Sequence, residues 1–158
     1  MTMETKELSV VLRELARGQK VGLCDEWYSS WSDDTDIDGL LDMFVRGQDF
    51  CIENDYPSLS FIREHFSKDD LHRHHIYVDE SVDVTADNGY YIFLGRCSVR
   101  LVVSGFKAVS VYCRHDSIVD VSASLGARVF VSSYDRSCVT FREDTCGKVR
   151  YYDRRDAQ

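Results

Sequence analysis

From residue 97 onward the chain alternates apolar and polar residues with a period of two, in blocks of ten. Val99, Val109, Val119, Val129, Val139 and Val149 stand at identical spacing. Two positions after each come Leu101, Val111, Val121, Val131, Phe141 and Tyr151, and two further on come Val103, Cys113, Ala123, Ser133, Glu143 and Asp153. Three alternate positions on one side describe a short strand with one buried face. The residues between them, such as Arg100, Asp120, Thr140 and Arg150, are mostly polar and read as a solvated outer face. Corners differ on alternate blocks. One set carries Gly105, Gly126 and Gly147, and the other carries Arg114-His115-Asp116, Tyr134-Asp135-Arg136 and Arg154-Arg155-Asp156. The unit is therefore about twenty residues, with two strands and two unlike corners. Earlier strands are expected at residues 76–78, 82–84 and 90–94, with Asp87-Asn88-Gly89 as a turn.

Equal block length discriminates between architectures. In a β-solenoid each coil stacks on the last, so constant length follows from the geometry. An antiparallel β-sandwich or barrel also has closely spaced strands, but its turns vary freely. The register of six valines favours the solenoid, with the sandwich or barrel as the alternative.

The first half has the helical period instead. Leu8, Val11, Leu12 and Leu15 form one stripe, with Gly18 as a stop. Leu23, Trp27 and Trp31 suggest a second short helix through residues 24–28. The run Ser32-Asp33-Asp34-Thr35-Asp36 supplies oxygens and negative charge suited to a helix start. Ile37, Leu40, Leu41, Phe44, Cys51 and Ile52 continue an apolar face that Gly47 bends or breaks. Tyr56-Pro57-Ser58 is a stop and a new cap, before a last short helix with Phe61, Ile62 and Phe66. The expected class is α+β: an acidic helical region, residues 1–75, capping the open first coil of a β-repeat domain, residues 76–158.

Charge sharpens this division. Residues 1–75 hold 16 acidic and 8 basic side chains, a net of -8, whereas residues 76–158 hold 11 of each. A net acidic chain opposes general nucleic-acid binding, which needs a basic face. No apolar run approaches the ~20 residues of a membrane span. The opening MTMETKELSV lacks the pattern of a secretory signal, so a cytoplasmic location is expected.

Candidate chemistry is sparse. Cys24, Cys51, Cys97, Cys113, Cys138 and Cys146 form no C-x-x-C pair, and several lie in apolar stretches where a thiol acts as a small hydrophobe. His65, His72, His74 and His75 lie in or near a connector, Leu71-His72-Arg73-His74-His75, expected to be a loop. Its extended geometry puts His72 and His74 on one side and His75 on the other, which reads as a polar link and not a metal site. Asp34-x-Asp36-x-Asp38-Gly39 begins like a calcium loop, but Leu40 to Phe44 is already an apolar helical run and the twelfth position is Val45. Stacking of corners brings His115 beside Asp135, a pair that could do acid–base work or could be ordinary solvated turn residues. No catalytic, cofactor or metal residue is assigned.

The V-x-V blocks with small and polar corners resemble the short-repeat β-helix segments of uncharacterised bacterial proteins associated with phage or mobile elements. Cys24-Asp25-Glu26-Trp27-Tyr28, Arg46-Gly47-Gln48-Asp49-Phe50-Cys51-Ile52 and Asp55-Tyr56-Pro57-Ser58 are similar to a helical region of the same proteins. That resemblance implies the same two-part fold and carries no activity with it. The first expectation is a non-enzymatic structural or interaction module that meets a protein partner through its acidic helices. It binds neither nucleic acid nor membrane and forms a monomer or small oligomer. The alternatives are a polysaccharide-active β-helix enzyme and an acidic inhibitor of a host nucleic-acid-binding protein. The second rests on residues 25–55, which hold ten acidic side chains and one basic, Arg46.

Overall fold

Side-chain caps start three of the helices described in the first half. The computed structural model describes residues 5–17, 31 and 35–155. The chain divides into two compact units, Met1–His74 and His75–Gln158. In the first, α1 spans Thr5–Arg17, α2 Ile37–Arg46, α3 Gln48–Asn54, α4 Leu59–His65 and α5 Lys68–Arg73. Asp36 starts α2 by accepting the Gly39 amide at 2.7 Å, and Ser58 starts α4 by accepting that of Phe61 at 3.3 Å. The break at Gly47 falls between α2 and α3. Leu8, Leu12, Leu40, Leu41, Cys51 and Ile62 are buried. Trp31 is also buried, and its Nε1 donates to Ser9 Oγ at 3.0 Å. Tyr56 donates its hydroxyl to the Leu12 carbonyl at 2.6 Å, which ties α1 to the stop before α4. The helix expected at residues 24–28 lies outside the described residues. Among the described residues no helix is long and apolar enough to cross a membrane.

One expectation is corrected here. The histidine-rich connector is not an extended loop: it is largely α5. Ser67 caps it by accepting the Asp70 amide at 3.1 Å, Asp69 and Asp70 occupy its first turn, and His72 and Arg73 its last. These charges complement the helix dipole at both ends.

The second unit is a parallel β-solenoid of about four turns. Its strands are β1 Ile76–Val78, β2 Ser81–Thr85, β3 Gly89–Leu94, β4 Ser98–Ser104, β5 Ala108–Cys113, β6 Ile118–Ser124, β7 Arg128–Ser133, β8 Cys138–Glu143 and β9 Lys148–Asp153. Odd strands stack in one sheet, β1-β3-β5-β7-β9, and even strands in the other, β2-β4-β6-β8. Every pairing is parallel, which excludes the antiparallel sandwich or barrel. From β3 onward partners are twenty residues apart, such as Val99↔Val119 and Val109↔Val129. The first coil is shorter, with Ile76↔Ile92 sixteen apart and Ser81↔Ser98 seventeen.

Valines at the repeat positions fill the space between the sheets. Val99, Val109, Val119 and Val129 are buried, with Leu101, Val103, Val111, Val121 and Val131 beside them. Each fully buried side chain contributes about 1.5–3 kcal/mol of transfer free energy. In the last coil Val139, Val149 and Tyr151 are only partly buried, and Phe141 is 40% exposed. Polar groups replace the missing coil: Glu143 accepts the Val149 amide at 2.8 Å, and Ser133 Oγ meets Tyr151 OH at 2.7 Å.

The glycine corners also differ from the sequence reading. Gly105, Gly126 and Gly147 are twenty-one residues apart and so occupy three successive positions of the corner, not one. Gly105 is stacked on Leu125 and Thr145, which take the left-handed conformation themselves at φ 54° and 41°. Gly147 is required for a different reason: a Cβ there would collide with the Ala123 carbonyl and the Ser124 amide.

Candidate functional site

The corners between odd and even strands hold the one pair of residues singled out for acid–base chemistry. Asp79, Gly95, His115 and Asp135 stack at the same place in successive coils, each with φ between 56° and 71°. This conformation turns a backbone amide towards the neighbouring coil, and the next side chain in the stack accepts it. His115 Nδ1 accepts from the Gly95 amide at 3.0 Å, and Asp135 Oδ2 accepts from the His115 amide at 2.9 Å. At the first corner Asp79 Oδ1 accepts from the Arg96 amide at 2.9 Å. Small residues line the inside of the same corner. Ser117 Oγ donates to the Gly95 carbonyl and Ser137 Oγ to that of Cys113, both at 3.1 Å.

His115 and Asp135 are thus brought together, but through the backbone. The His115 imidazole faces Gly95, and the Asp135 carboxylate faces the His115 main chain and lies 3.7 Å from Arg114 Nε. An Nδ1 that accepts an amide hydrogen needs its lone pair, so the neutral ring carries its proton on Nε2. The arrangement closes the solenoid and orders a row of amides. Outside it, Arg136 and Asp116 form an ion pair twenty residues apart, at 2.7 Å. These roles were absent from the sequence reading. Their signal was the twenty-residue recurrence of Asp or His at a position that must take positive φ.

The other histidines go to separate places. His65 packs on Phe61, with ring centroids 4.4 Å apart. His74 Nε2 lies 2.9 Å from Asp38 Oδ1, and Arg73 reaches the same oxygen at 3.0 Å. These contacts hold the Asp38 carboxyl below its ordinary value, the His74 hydrogen bond contributing most. His75, in the second unit, stacks on Tyr91 at 4.2 Å. Among the described residues no three His, Cys, Asp or Glu converge in a way that could hold a metal ion. The start of the calcium-like run is engaged otherwise: Asp36 caps α2 and Asp38 binds α5, while Asp34 lies outside the described residues.

Cys51, Cys97, Cys113, Cys138 and Cys146 form no disulfide. Burial pushes the Cys113 thiol up to about 12 and raises that of Cys97, so both are protonated core groups. Cys138 and Cys146 are exposed, one on an outer face and one at a corner. Comparison with family models, with curated proteins and with solved structures finds no match to this chain.

Proposed function

We propose that the chain is a non-enzymatic interaction module: the solenoid is a rigid scaffold, and the acidic helical region binds a protein partner. One observation carries this reading. Each of the two residues best suited to acid–base work, His115 and Asp135, accepts a backbone amide of the solenoid. An imidazole whose Nδ1 accepts an amide hydrogen carries its proton on Nε2 when neutral and offers no lone pair for a substrate proton, and one oxygen of the Asp135 carboxylate is committed to the His115 amide. The negative charge of the helical half supports a partner with a basic surface. Some of that charge serves the fold, because Asp38 and Asp42 are paired with Arg73 and Arg46. The Glu143 and Ser133 contacts support a discrete monomer or small oligomer, since they satisfy polar groups at an end that otherwise invites strand addition.

The test is affinity capture with the full chain, beside a variant in which Asp33, Asp34, Glu53 and Asp55 are changed to Asn or Gln. A partner identified by mass spectrometry that binds the parent, loses affinity with salt and fails to bind the variant is the expected result. Turnover of a polysaccharide that His115→Ala abolishes without unfolding the protein would instead establish the enzyme reading.

A further inference from the structure

The two outer faces of the solenoid carry different chemistry. On the even sheet charges of opposite sign stack in register: Asp83 beside Arg100, and Arg100 beside Asp120. On the odd sheet no carboxylate occupies an outward position of β5, β7 or β9. Arg128 stacks on Lys148, Phe130 on Arg150, and Ser132 on Tyr152, with Tyr112 one coil earlier in that row. Phe130 is 38% exposed and Tyr152 37% exposed. Arg154 lies 5.6 Å over the Tyr152 ring. Arg128, Phe130, Lys148 and Arg150 also line a cleft of about 440 Å³. The cleft holds one acid, Glu143, and one of its oxygens is engaged by the Val149 amide.

We infer that this face binds single-stranded nucleic acid. Cations alone would fit any polyanion. Exposed aromatic rings interleaved with them fit a strand whose phosphates pair with Arg and Lys while its unpaired bases stack. An acidic peptide would satisfy the cations, but a single strand also presents a π-face to Phe130 and Tyr152 at every nucleotide, whatever its sequence. A duplex hides its bases inside the helix, and a flat sheet face does not enter its grooves. The net charge of -8 averages over this face. It sets the long-range field against a polyanion, so the contact is short-ranged and depends on salt. The inference is independent of the helical region's protein partner.

The test is fluorescence anisotropy of a labelled oligothymidylate of roughly 12 nucleotides with the full chain. Arg128 donates to the Gly126, Ala127 and Cys146 carbonyls, so the phosphate contacts fall to Lys148, Arg150 and Arg154, and three such contacts predict a slope of log affinity against log salt of about -2. Lys148→Glu with Arg150→Glu should weaken binding more than tenfold, and Phe130→Ala about tenfold. Arg100→Glu with Arg142→Glu, on the other face, should change it less than about twofold. Ultraviolet cross-linking of the unmodified protein needs no variant to fold, and its adducts should fall on peptides containing Phe130 or Tyr152. The inference is overturned by any of three results: absence of saturable binding, adducts confined elsewhere, or polyglutamate or heparin binding as tightly with no effect of Phe130→Ala.

Discussion

Val119 and Val149 are the same residue at the same position of the ten-residue block, one in each sheet, yet they are not equivalent. Val119 lies in β6 between β4 and β8 and is fully buried. Val149 lies in β9, pairs only with β7, and is partly exposed. A solenoid position is worth what the coils on both sides make of it, so repeated sequence does not mean repeated energy. The last coil compensates with polar groups: Glu143 and Asp153 stand where inner coils place Val103, Cys113 and Ala123.

Substitutions sharpen that contrast. Val119→Asp places an unpaired carboxylate in a dry interior and should cost at least about 4 kcal/mol, enough to abolish the cooperative melt. Val149→Asp, at the open end, should cost about 1–2 kcal/mol and leave a folded protein. Equal melting of the two variants would remove the distinction. Gly147→Ala should cost about 2–3 kcal/mol, because the Ala123 backbone has no room to move, and chemical denaturation reads this as a lower midpoint. His115→Ala should cost about 1 kcal/mol and speed hydrogen exchange at the Gly95 amide, whose acceptor it removes.

The smallest effect is electrostatic. A bidentate contact with Arg155 depresses Asp153 to about 2, from an ordinary 3.8. A carboxyl depressed by folding stabilises the native state above its unfolded value, and this contribution is lost as pH falls towards the folded one. The parent should therefore lose stability between about pH 4 and pH 2 slightly faster than Asp153→Asn does. The difference should be slight, because the pair is exposed and screened. Parallel acid titrations of the two proteins would check the sign.

Legibility in the sequence followed the range of the interactions. Strands β4 to β9 were readable because stacking writes the same valine into every coil. Helices α2 and α4 were readable because Asp36 and Ser58 cap them locally. Helix α5 replaces the loop expected at residues 71–75 because its start is set upstream of the histidines, by the Ser67 cap and the acidic Asp69 and Asp70. The glycines misled because their spacing of twenty-one resembles the coil period of twenty while drifting along the corner. The roles of His115 and Asp135 could not be read locally, since each accepts an amide from another coil. The basic, aromatic face is not local in sequence: it forms where odd strands stack on odd strands, and β8 separates Arg128 and Phe130 from Arg150.

Native-state hydrogen exchange tests most directly the claim that burial by both neighbours sets the worth of each coil. The account predicts slowest exchange for the paired amides of β5 and β6, and markedly faster exchange for those of β8 and β9. Uniform protection from β4 to β9, or greatest protection in β9, would contradict it.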